Sequence, residues 1–139
     1  MRYRTLASIL VALLGRVAPA AADETQLDMG KHIYAERCAS CHGANLQGQP
    51  NWMVRLPNGR LPAPPHDASG HTWHHSDAQL FRITKEGLAA IVPGYESDMP
   101  AYGRSLSDQE IRAVLEYIKG TWPEREREYQ RGRTQANPL

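Results

Sequence analysis

Phenylalanine occurs once in this 139-residue chain and cysteine twice. With a single phenylalanine the apolar material for a core is thin for this length, and small domains in that position lean on a metal, a cofactor or disulfides. Two cysteines allow one disulfide at most and cannot build a four-cysteine zinc site. No apolar run approaches the roughly 20 residues of a membrane-spanning helix. No stretch alternates β-branched and polar residues in the manner of strands, and no internal repeat is visible, so the predicted class is all-α. Basic runs interleaved with aromatics are also missing, which excludes a nucleic-acid partner. The length and a hydrophobic fraction of 41% fit one small globular domain.

What is present begins with an export signal. Arg2 and Arg4 precede the short apolar run Leu6 to Leu14, and the small residues Ala18, Ala20, Ala21 and Ala22 follow. Residues 1–22 are read as a signal peptide, cleaved near Ala20 or Ala22, with no stable membrane insertion afterwards. The predicted location is periplasmic or otherwise exported. Removing Arg2, Arg4 and Arg16 from 16 basic residues leaves 13 against 15 acidic, a formal charge of −2. In an oxidising compartment two thiols do not stay free without a reason.

Residues 23–122 then form the domain and 123–139 a charged extension. After a polar lead-in at 23–25, Leu27, Gly30, Tyr34 and Cys38 recur at helical spacing and deliver Cys38 to a helix end. From Gly43 to Gly70, Pro50, Pro57, Pro62, Pro64 and Pro65 exclude regular helix. A loop of that length in a small domain suggests that it wraps something, and a flat cofactor would serve. Ser76 with Gln79 has the form of a capping box before a helix over 77–86, with Gly87 as its stop. A second loop, Leu88 to Leu106, is followed by another capping box, Ser107 with Glu110. Ile111, Val114, Leu115 and Ile118 then trace one helical face. Beyond Gly120 and Pro123, the alternating charges Glu124 to Glu128 predict a solvated helical extension ending in a loose tail.

The chemistry sits in Cys38-Ala39-Ser40-Cys41-His42. This is the spacing for covalent haem attachment: two thiols one turn apart add to the two vinyl groups, and the adjacent histidine reaches the iron. A structural disulfide, a thioredoxin-like pair and a zinc site are the competing readings, and none explains His42. The predicted cofactor is one covalent haem c, with Cys38 and Cys41 as attachment points and His42 as one axial ligand. Haem iron takes a second axial ligand, for which Met29, Met53 and Met99 are the thioethers outside the signal segment. Met99, in a Pro/Gly-fixed loop 57 residues after His42, can cross to the far face. Met53, in the first loop, is its competitor, whereas Met29 is tied to the helix leading into Cys38.

From about Gln26 to Trp122 these residues resemble a class I cytochrome c. The Gly30, Tyr34, Cys38, Cys41, His42 series is similar to that family's first helix, Val114 and Tyr117 to contacts of its last helix, and Met99, Pro100 and Tyr102 to its ligand loop. The resemblance implies three to five helices wrapped around one haem, with the first and last packed nearly perpendicular. It implies a loop proline carbonyl that accepts the proximal histidine's other ring proton, with Pro62, Pro64 and Pro65 as candidates, and Tyr102 beside the cofactor. The chain lacks the dense lysine ring of better-known members.

An electron carrier needs no acid, base or nucleophile. It needs an iron that changes valence with its ligands kept, held among apolar groups, for which Leu80, Phe81, Ile91, Val92, Val114 and Ile118 are candidates. The expected function is therefore single-electron transfer between redox partner proteins, not enzymatic catalysis. The alternatives are a haem subunit of a larger oxidoreductase, and a peroxidase or gas sensor with a labile methionine. His66, His71, His74 and His75 cluster within ten positions, where a second metal is one reading and exposed or haem-edge histidines the other. Trp52 and Trp73 are read as haem-pocket packing and Trp122 as a seal on the last helix.

Overall fold

The computed structural model describes residues 20–137. Its helices are α1 (Ala20–Ile33), the single turn α2 (Ala39–His42), α3 (Asp77–Glu86), α4 (Asp108–Gly120) and α5 (Glu124–Ala136). No strand occurs among the described residues, and the fold is all-α. The signal-peptide reading falls largely on residues 1–19, outside the described residues. Helix α1 begins at Ala20, earlier than the polar lead-in at 23–25 suggested.

Both capping boxes form in full. Ser76 Oγ accepts from the Gln79 amide at 3.3 Å while Gln79 Oε1 accepts from the Ser76 amide at 3.2 Å. Ser107 and Glu110 repeat the exchange at 3.3 and 2.7 Å. Each satisfies two amides that the first helical turn leaves without partners, so α3 and α4 start where these short motifs dictate. Gly87, at φ +90°, ends α3 in a conformation that side chains with a Cβ avoid.

The core joins Ile33, Tyr34, Leu46, Leu80, Leu106, Ile111, Val114, Ile118 and Trp122. Its tightest contact is the meeting of α1 with α4 at Gly30. A Cβ on Gly30 would lie 2.1 Å from the Ala113 carbonyl oxygen and 2.9 Å from the Tyr117 Cβ. Neither helix backbone can yield there without parting the pair. Gly30→Ala is expected to lower unfolding free energy by about 1–3 kcal/mol, the usual cost of overpacking. Guanidinium unfolding of the haem-loaded protein measures it, and an unchanged midpoint would mean that the helices separate freely.

The charged segment after Pro123 is helical, as expected, but it is neither fully solvated nor ended by a loose tail within the described residues. It is helix α5, and Glu126 and Gln130 on its inner face are buried. Gln130 Nε2 donates to Asp77 Oδ1 at 2.7 Å and lies 3.0 Å from Thr134 Oγ1, while Lys119 Nζ reaches the same Asp77 oxygen at 2.9 Å. Tyr129 closes the contact edge-on against Trp73, ring centroids 5.3 Å apart. Trp122 is buried at the end of α4, its Nε1 donating to the His66 carbonyl at 2.7 Å.

Candidate functional site

A π-helical segment, Tyr34–Cys38, links α1 to α2. Such wider turns displace side chains from α-helical register and recur at functional sites. Tyr34 anchors the segment from inside: it is buried, and its hydroxyl donates to the Gly43 carbonyl at 2.9 Å. Burial raises the Tyr34 phenol far above its ordinary range, so it remains a neutral donor.

Cys38 is half-buried and Cys41 exposed, and no disulfide joins them. Burial, with the Cys41 thiol alongside, pushes Cys38 up to about 11. A catalytic redox pair depends on a lowered thiol pKa, and this environment does the opposite.

His42 is buried at the end of α2, and its Nδ1 lies 2.8 Å from the Pro64 carbonyl oxygen. A carbonyl can only accept, so Nδ1 carries the proton. Burial lowers the imidazole pKa, the Pro64 contact opposing that in part, so the ring is neutral and Nε2 keeps its lone pair. Among the three candidate prolines it is Pro64 whose carbonyl stands at this distance. Pro65 is buried and its carbonyl lies 3.4 Å from Thr72 Oγ1, and Pro62 is buried. Two cysteines one turn apart, followed by an imidazole whose Nδ1 is taken up by the Pro64 carbonyl, match the donor set that covalent haem attachment requires.

Tyr102 lies beside this segment, donating its hydroxyl to the Arg37 carbonyl at 2.7 Å. Its phenol pKa is raised by burial first, then by the nearby Cys38 and Cys41 thiols. The Tyr102 amide in turn donates to the Thr84 carbonyl at 2.9 Å, so the loop after α3 is tied at both ends of one residue. Met99 is half-buried in that loop, its amide donating to Ser97 Oγ at 3.1 Å. Met53 is 74% exposed, and Met29 packs against the core from α1. Arg60 bridges the two long loops by pairing with Asp98 and Glu96, a contact across 38 positions that nothing in the sequence announced.

The four clustered histidines meet different partners. His66 stacks on His42, His71 on Trp52, and His74 packs against Trp73 and Tyr129. His71 and His75 meet edge-on at 5.6 Å. Among the described residues no group of three or more His, Cys, Asp or Glu side chains is arranged to hold a metal ion. Of the apolar candidates, Leu80, Val114 and Ile118 are buried and Phe81 and Ile91 half-buried, but Val92 is 45% exposed on the polypeptide.

An all-α domain with two cysteines one turn apart and a buried, carbonyl-held histidine directly after them has the construction of a c-type cytochrome. The chain belongs to the cytochrome c family, whose pattern matches residues 27–122, and it carries haem c. It is 30% identical over 89 residues to cytochrome c-555 of Prosthecochloris aestuarii, covering 58% of this chain and 90% of that protein. It is 31% identical over 113 residues to the cbb3-type cytochrome c oxidase subunit CcoP of Azospirillum brasilense, covering 81% of this chain and 33% of that subunit. A nitrite reductase of Stutzerimonas stutzeri is 31% identical over 121 residues, covering 80% of this chain and 19% of the enzyme. The chain thus spans about a third of the length of the oxidase subunits it matches. No solved structure matches it significantly.

Proposed function

We propose that the protein is an exported single-electron carrier whose haem c is attached through Cys38 and Cys41 and ligated by His42 and Met99. The observation that carries the reading is His42, its Nδ1 held at 2.8 Å by the Pro64 carbonyl, directly after two cysteines at attachment spacing. The bound haem supplies a reversible one-electron ferric/ferrous couple. The polypeptide's task is to keep the ligands unchanged while the charge changes. The Pro64 carbonyl holds His42 in one tautomer, and a ligating histidine held this way resists exchange. Tyr102, bonded to the Arg37 carbonyl and to Thr84, ties the Met99 loop to the helix that bears the cysteines. A methionine opposite histidine favours the ferrous state and raises the potential.

Export rests on the composition of residues 1–22. Among the described residues no helix is long and apolar enough to cross a membrane. The oxidase-subunit and nitrite-reductase relatives favour a second reading, a haem domain docked to a larger oxidoreductase.

The carrier reading is tested on reduced, haem-loaded protein exposed to carbon monoxide. A closed His/Met site is expected to leave the ferrous spectrum unchanged over minutes. Rapid formation of a carbonyl adduct would instead favour a gas-binding or peroxidase role.

A further inference from the structure

His66 is a half-buried imidazole outside the attachment motif, and its ring lies flat on that of His42: the centroids are 3.9 Å apart and the planes inclined by 20°. We propose that His66 is a positioning residue that sets the direction of the His42 ring plane by stacking on its face. This inference rests on the reading of His42 as an iron ligand and adds a second constraint on it.

The need for a second constraint follows from torsional freedom. The bond from His42 Nδ1 to the Pro64 carbonyl holds one edge of the ring, but the last torsion of a histidine is broad and a carbonyl accepts over a wide angle. A flat ring on one face narrows that freedom. A face-to-face contact also leaves the ring edge, where Nε2 lies, uncovered.

His66 is itself braced, as a positioning group must be. Its Nδ1 lies 2.8 Å from Thr72 Oγ1, and the buried Thr72 hydroxyl donates onward to the Pro65 carbonyl at 3.4 Å. That chain requires Nδ1 to be the donor to Thr72. The His66 amide donates to the Leu46 carbonyl at 2.7 Å, and the His66 carbonyl accepts from Trp122 Nε1 at 2.7 Å. The Tyr34 ring meets the His66 ring edge-on at 6.2 Å. Pro64 and His66 thus bring both constraints on one ligand from a three-residue segment, and that segment is fastened to α4 through Trp122.

The test uses the haem-loaded ferric protein with His66→Ala, His66→Phe and Thr72→Val, read by the pattern of the haem-methyl proton resonances. In low-spin ferric haem that pattern reports the direction of the axial imidazole plane. His66→Ala is expected to change the order or spread of the four methyl shifts, His66→Phe to restore the wild-type pattern by keeping a flat face, and Thr72→Val to produce a smaller change in the same sense. A wild-type pattern in His66→Ala, or a change in His66→Phe as large as that in His66→Ala, would overturn the proposal. Should His66→Ala fail to accumulate, Thr72→Val decides, because an unchanged pattern there also overturns it. A wild-type protein without a low-spin histidine-ligated signature would instead strike down the reading of His42 on which this one stands.

Discussion

Replacing Cys38 and Cys41 together with alanine is expected to abolish covalent haem completely. Denatured protein should then show no haem stain on a gel, and its intact mass should equal that of the polypeptide alone. Each single variant keeps one thioether and therefore stains, at reduced yield. The physical reason is that no other thiol is available, since these are the chain's two cysteines. His42 in the double variant still presents Nε2, but one coordinate bond does not survive denaturation. The variant should also be markedly less stable than wild type, because the thin core leaves the prosthetic group as a main source of buried apolar area. Haem retained after denaturation of the double variant would sink the attachment scheme.

Met99→Ala should lower the midpoint potential by on the order of 0.1 V or more, a modest part of the roughly 0.8 V that axial ligation spans. Loss of the thioether removes the ligand that favours ferrous iron and leaves the sixth position to water or an added ligand. Potentiometric titration checks the first effect, and rapid carbon monoxide binding to the reduced variant checks the second. Met53→Ala is the control and should change neither, because Met53 is 74% exposed. A Met99→Ala protein with an unchanged midpoint and a closed sixth position would remove Met99 from the site. Residues 96–98 bear on this outcome, since Arg60 pairs with Glu96 and Asp98 and so fastens the Met99 loop to the first loop. Such exposed pairs contribute modestly to stability, about 0–1 kcal/mol each. Their value here is in restricting where the loop can lie.

The parts legible in the sequence were those written in short windows. The two capping boxes placed the starts of α3 and α4 because each is complete within four residues. Ile111, Val114 and Ile118 line a buried helical face because a period of 3.6 is a local property. The docking of α5 was not legible. Glu126 and Gln130 read as solvated polar residues, and only the approach of Asp77 and the His75 carbonyl, added to Thr134 on the same helix, satisfies Gln130 when it is buried. The wider turn at Tyr34–Cys38 likewise had no signature in residue type.

By itself the sequence determined the chemistry: two thiols and a histidine at a spacing that local helical geometry turns into a haem-attachment site, together with an all-α class and a proline-rich wrap. It left Pro62, Pro64 and Pro65 equivalent as partners for His42, and it left His66 as one of four similar histidines. Tertiary structure separated them, bringing the Pro64 carbonyl to 2.8 Å from His42 and laying the His66 ring on the same imidazole. The difference lies in the range of the interactions. Caps, periodicity and attachment spacing are decided within a few residues of chain, whereas contacts across 22 or 24 positions exist only once loop closure has been offset by the packing of the whole domain.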